Sequence, residues 1–117
     1  MIDWMKLIDC KDVYVRRGST LRVRRSEKKE QDWYPDAYTD FIVFDPLKTG
    51  TYGLMVASGQ KAGMIYVVFP LESSGGDGVG LKIDWLRDNW REWVYPDGVL
   101  SEAWIRDPRV IDSFDAE

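Results

Sequence analysis

Between residues 30 and 40 the chain reads EQDWYPDAYTD, and four carboxylates, Glu30, Asp32, Asp36 and Asp40, are interleaved with three rings, Trp33, Tyr34 and Tyr38. That mixture can do two kinds of chemistry. Carboxylates can coordinate a hard cation, but their spacing here does not match the ligand positions of an EF-hand loop. Rings set among carboxylates can instead anchor a basic protein surface, the rings giving apolar contact and the carboxylates pairing with Arg or Lys. The segment has no hydrophobic period and contains Pro35, so it is expected as a loop. A buried loop would leave backbone polar groups unpaired, which places some of these rings at the surface. A loop whose rings fold back over an open core is the other arrangement this composition allows. Asp32, Trp33, Tyr34, Asp36, Tyr38 and Asp40 are the candidate partner-binding residues.

Two further stretches invite chemistry. Arg16, Arg17, Arg22, Arg24 and Arg25, with Lys28 and Lys29 beyond, form a basic stripe that could lie in a nucleic-acid groove. The same stripe also serves as a solvated strand face that blocks edge pairing. Tyr14 is the one ring among these charges, where a stacking platform needs several. SGQKAG, residues 58–63, has the residue types of a phosphate cradle but lacks the G-x-x-x-x-G-K-[ST] spacing, so a hairpin turn is expected. Histidine is absent, which removes the commonest general base, the commonest zinc ligand and the middle member of the hydrolase triads. Cys10 stands alone, so neither an internal disulfide nor a thiolate cluster can form. Catalysis by paired carboxylates is what remains, and it needs a cleft. No enzymatic activity, metal or cofactor is expected.

The net charge of −4 is unevenly spread. Residues 1–29 hold nine Lys/Arg against four Asp/Glu, a balance of +5, and residues 30–117 hold seven against sixteen, a balance of −9. An acidic field suits a basic partner and opposes nucleic acid. The longest apolar run is MIYVVFP, far short of the roughly 18 residues a membrane helix needs. The N-terminal MIDWMKLID is mixed and acidic, unlike a secretory signal. A cytoplasmic protein without membrane association is expected, as a monomer or weak homodimer.

The elements that must carry these residues follow from hydrophobic period. At 117 residues, one domain with its own core is expected. IDWMKLI reads as a short amphipathic helix. In DVYVRRGSTLRVRR, Val13 and Val15, then Leu21 and Val23, alternate with polar residues on either side of Gly18-Ser19, which predicts a hairpin over 13–25. FIVFDP reads as a buried strand. TYGLMVAS and GMIYVVFP read as a second hairpin, with Gly59 and Gly63 permitting positive φ in its loop. LESSGGDGVG is glycine-rich and flexible in composition, and GVLSEAWIRD and RVIDSF read as short edge strands.

IDWLRDNWREWVYPDG, residues 83–98, places three tryptophans in nine positions. At about 100° per residue, Trp85, Leu86, Asn89, Trp90, Trp93 and Val94 share half of a helix. Asp84, Arg87, Asp88, Arg91 and Glu92 fill the other half, Asp84 suits the N-cap, and Pro96 and Gly98 end the segment. The tryptophans are expected mostly in the core, with Trp85 at the stripe's edge half exposed. An exposed aromatic grip is the alternative. The charged half is expected to tolerate substitutions such as Arg87→Ala, and Asp84, Asp88 and Glu92 form an alternative interface. The predicted fold is a single α+β domain: an antiparallel sheet of five to six strands, the helix 83–94 packed on one face, and a short N-terminal helix.

YGLMVASGQKAGMIYVVFPLES followed by WLRDNWREWVYPD resembles the immunity protein 45 family, small bacterial proteins encoded beside polymorphic toxins. The residues that carry the likeness are Gly53, Ser58, Gly59, Lys61, Ala62, Gly63 and Pro70, then Trp85, Leu86, Asn89, Trp90, Trp93, Val94 and Tyr95. RGSTLRV and DFIVFDP are also similar, so the likeness spans most of residues 13–97. The resemblance implies a cytosolic, non-catalytic protein that binds and blocks a cognate toxin encoded by a neighbouring gene. Toxins acting on nucleic acid are usually basic, which suits an acidic inhibitor. A nucleic-acid-binding or general protein-interaction module using the hairpin 13–25 is the competing reading.

Overall fold

The computed structural model describes residues 4–25, 38–47, 50–76 and 79–108. Among these residues eight strands follow one another: β1 (Met5–Lys6), β2 (Tyr14–Val15), β3 (Thr20–Arg25), β4 (Tyr38–Phe44), β5 (Gly53–Val56), β6 (Ile65–Val68), β7 (Leu81–Lys82) and β8 (Gly98–Arg106). Six form an antiparallel sheet in the order β1-β8-β3-β4-β5-β6, and β2 pairs with β7 in a second, two-stranded sheet. The helical parts are short: α1 (Ile83–Asp88), a π-type turn at Trp90–Val94, and 3-10 turns at Leu7–Asp9 and Leu71–Ser73. This is a small β-rich domain. The expected α+β domain built around a long amphipathic helix 83–94 is not what forms.

The large sheet owes its two faces to period-2 patterning. Leu21, Val23, Phe41, Val43, Leu54, Val56 and Ala103 are buried on the inner face. Their register is consistent, with Leu21 opposite Phe41, Phe41 opposite Val56, and Val43 opposite Leu54. Phe69, Leu81, Ile83, Leu86, Trp90 and Val94 join the same core. β4 starts at Tyr38, earlier than the apolar run FIVF, because Thr39 and Asp40 pair with Val23 and Arg22. The β5–β6 hairpin is present, and its loop places Gly59 at φ 78° and Gly63 at φ 91°, where residues with a side chain are strained.

Three expected elements are replaced. The N-terminal helix is absent; Met5 and Lys6 pair with Ile105 and Trp104, and only Leu7 of the following turn is buried. The hairpin 13–25 does not close. β2 goes to β7, while β3 lies between β4 and β8. Around Gly18-Ser19 the backbone bonds to β4 instead, Gly18 N–H to Val43 C=O at 2.7 Å and Val43 N–H to Ser19 C=O at 2.9 Å. β8, expected as an edge, is a nine-residue strand flanked on both sides. RVIDSF lies outside the described residues.

The tryptophan segment breaks at Asn89. Its side-chain amide donates to the Trp85 carbonyl at 2.9 Å, the same carbonyl that its backbone N–H uses at 3.0 Å. Asn offers the chain a local hydrogen bond that competes with a regular helix. The backbone then widens, and Tyr95 N–H reaches back five residues to Trp90 C=O at 3.0 Å. A π-type turn advances less per residue than an α-helix, so a single angular projection fails beyond Asn89. Trp90 stays buried at 4 % exposure, Trp85 is half-buried against Phe69 as expected, and Trp93, expected in the core, is exposed at 38 %. Asp84 sits inside the first turn rather than at the cap, and the N–H of Ile83 is satisfied by Val13 C=O at 3.0 Å.

Arg87 overturns the expectation of a tolerant charged side. Its guanidinium donates from Nη2 to the Leu7 carbonyl at 2.5 Å and to the Cys10 carbonyl at 3.0 Å, and from Nε to Leu7 at 3.2 Å. It therefore ties α1 to the N-terminal turn. Hydrogen bonds with a charged partner are worth about 1.5–3 kcal/mol. Arg87→Ala should lower the unfolding free energy by about that amount, while Asp88→Ala, exposed on the same helix, should stay within about 0.5 kcal/mol. Chemical denaturation of the two variants checks this, and equal stabilities would disprove the tie.

Tyr66, on β6, packs its ring on Phe41 at 5.1 Å and Tyr95 at 5.8 Å. Partial burial, reinforced by Tyr95 and Asp97, raises its hydroxyl above the ordinary pKa of 10.0. The unfolded chain then releases this proton first. The associated stability is full below pH 10 and is lost as pH rises through the raised folded value. The alkaline loss of stability should be smaller in Tyr66→Phe, as measured by melting temperature across that range.

Candidate functional site

Of the candidate binding residues, Asp32, Trp33, Tyr34 and Asp36 lie outside the described residues. Tyr38 and Asp40 are described, and both stand on β4. Asp40 accepts two hydrogen bonds from Arg22, from Nε at 2.9 Å and from Nη2 at 3.0 Å, a bidentate, charge-assisted geometry. Its own backbone is held by Ser58 Oγ at 3.0 Å and by Ala57 N–H at 2.8 Å. Tyr38 meets Trp104 edge-on at 6.0 Å.

These two residues open onto a larger strip on the outer face of the sheet. Register places Lys6, Trp104, Arg22 and Asp40 side by side across β1, β8, β3 and β4. Cations lie over rings along the strip. Arg22 is 4.6 Å from the Trp4 ring centre, Arg106 is 6.0 Å from the same ring, and Lys6 is 5.8 Å from Trp104. Arg24 pairs with Glu102 at 3.1 Å. Charges of both signs and indole rings are thus set side by side on the outer face of the sheet. Sequence reasoning assigned Arg22 and Arg24 to a stripe of one sign and missed Trp4, Trp104 and Arg106. The signal was present in the alternation of Glu102, Trp104 and Arg106 along β8, but nothing local says which strand lies beside it.

The alternative interface has a different character. Asp84, Asp88 and Glu92 are exposed, and Arg87 and Arg91 stand among them. Asp88, Glu92, Arg87 and Arg91 line a groove of about 500 Å3 together with Trp90 and Leu100. The face is mixed in charge rather than acidic. A second groove, of about 610 Å3, collects Arg16, Arg17, Tyr14 and Tyr52. Among the described residues, no group of three His, Cys, Asp or Glu is arranged to hold a metal ion. No helix among them is long and apolar enough to cross a membrane.

The described residues thus form a small β-rich domain with rings and charges set on one open sheet face. The sequence model of the family described as Immunity protein 45 matches residues 7–105, and the chain belongs to that family. Membership implies an immunity protein, one that binds a cognate toxin, and such proteins are in general not enzymes. No curated protein matches the chain, and no solved structure matches it.

The Arg22–Asp40 pair is partly solvated, so screening limits its worth. A double-mutant cycle with Arg22→Ala and Asp40→Ala should return a coupling of about 0.5–1 kcal/mol. A coupling of zero would mean that the pair does not organise this strip.

Proposed function

We propose that this protein neutralises a toxin that acts in the cytoplasm on nucleic acid, by direct one-to-one binding and without catalysis. The contact runs through Asp32, Trp33, Tyr34, Asp36, Tyr38 and Asp40. One observation carries the placement of the contact: Tyr38 and Asp40, where this segment joins the sheet, sit at the margin of the open strip of Trp104, Lys6, Arg22 and Trp4. Asp40 is held by Arg22, so the pairing falls to Asp32 and Asp36, which, in a chain region with a balance of −9, draw a basic toxin surface. The segment's rings resist dissociation.

The competing reading, a nucleic-acid module on residues 13–25, has less support. Arg22 is paired with Asp40 and Arg24 with Glu102, and β2 and β3 belong to different sheets. Those arginines do not form one continuous basic ribbon.

Protection of cells expressing the toxin from the neighbouring gene is the test. Asp32→Lys with Asp36→Lys should slow association and weaken its dependence on salt. Trp33→Ala should speed dissociation, by about 2 kcal/mol if the ring is a hot spot. The combined variant Asp32→Lys, Trp33→Ala, Asp36→Lys should fold and fail to protect. If it folds and protects fully, the segment is not the contact, and Asp84, Asp88 and Glu92 become the residues to substitute next.

A further inference from the structure

β6 ends the large sheet on the side opposite β1, and no described strand lies beyond it. Its side chains are unusually apolar for such a position. Ile65 is 60 % exposed and Val68 40 %, and Met64 and Tyr66 are exposed beside them. No charged residue occurs from Ala62 to Leu71. Natural edges are commonly blunted by Lys or Pro, because unpaired N–H and C=O groups recruit another strand. β6 has neither within its length. The hydrogen bond from Phe69 N–H to Tyr52 C=O makes Val68, opposite Gly53, the intervening position, where N–H and C=O turn away from β5.

We propose that two copies of this chain pair antiparallel through β6 about a twofold axis perpendicular to the sheet, joining two six-stranded sheets into one. The strand is its own complement. The register steps between Leu54 and Met55, so Val67 pairs with Leu54 and Ile65 with Met55, leaving Tyr66 as the extra residue of a bulge. Tyr66 and Val67 then both face inward, and Ile65 and Val68 both face outward. Setting Ile65 opposite Val68 of the second copy also sets Tyr66 opposite Val67, so each face matches β-branched or aromatic residues. Each chain carries −4, so copies repel at a distance, and a seam without charge adds no like-charge contact where they come closest. The apolar surface continues past the seam through Met55, opposite Ile65, to Ile42, opposite Met55. The other edge does not propagate the pairing. β1 has two residues, and Lys6 lies against Trp104 there, so assembly closes at two copies.

This inference is independent of the toxin contact and is tested without a toxin. Light scattering on a size-exclusion column, run over a dilution series, should show twice the 13.6 kDa chain mass at high concentration. Ile65→Lys with Val68→Lys sets like charges opposite each other in both outer pairs. It should raise the dimer dissociation constant at least tenfold with an unchanged circular dichroism spectrum. Ile65→Glu with Val68→Glu should do the same. An equal mixture of the two variants should recover the dimer, since opposite charges then meet, and this recovery also shows that both variants fold. A wild-type chain at monomer mass throughout, a dimer that survives in both variants, or a mixture that stays monomeric overturns the proposal.

Discussion

The buried Trp90 indole constrains most of this fold. A ring of that size removes much apolar surface from water, but its N–H needs an acceptor inside. It donates to the Gly98 carbonyl at 3.1 Å. The chain must therefore reverse over Pro96 and Asp97 and begin β8 directly beneath the ring. Gly98 has to be small there, because a Cβ at that position would lie 2.3 Å from Val23 Cγ1 and 2.5 Å from the Tyr95 ring. One hydrogen bond thus sets the height of the helical segment over the sheet and the point at which β8 joins β3. The irregular step in the β3–β8 register, between Val23 and Arg25 of β3, falls at the same place, where Arg25 is opposite Gly98.

With the inner face closed by α1, the π-type turn and the small sheet, the outer face is where side chains remain available. Its character changes across the sheet. Near β1, β8 and β3 it carries cations laid over indole rings and ion pairs, and near β5 and β6 it is apolar. The first region is fixed in position and polar enough to remain in water. In the second, the stretch from Ala62 to Leu71 carries no charged residue. The proposed toxin contact adjoins the first region, and the proposed strand pairing uses the second.

Much of the sheet was legible from local pattern. Alternation in LRV marked Leu21 and Val23 as inward, the apolar run FIVF marked a strand without saying that Ile42 would face out, and the two glycines of SGQKAG marked a true hairpin. The tryptophan segment was misread because the helical projection assumed one uniform rotation. Asn89 looked like a polar residue at the margin of a stripe, whereas its amide competes for the helix's own carbonyl and stops it. Arg87 was read as solvated because a helical wheel shows only which way a side chain leaves the axis. It cannot show that the Leu7 and Cys10 carbonyls wait there from nearly 80 residues away.

What the sequence alone determined is what depends on near neighbours and on totals: the period of the strands, the turn chemistry of the glycines, the acidic remainder behind a basic quarter, the want of histidine, and the motifs that mark the family. Tertiary structure alone decided which strand lies beside which. The turn at Gly18-Ser19 could close a hairpin or pass the chain into another sheet, and both choices satisfy the same alternation. In the fold the second holds: β2 pairs with β7, and β3 pairs on both sides, with β4 and with β8. That pairing brought Trp104 and Lys6 next to Arg22 and Asp40. No spacing in the chain encodes that row, because hydrogen bonds between strands join residues by register and not by distance along the sequence.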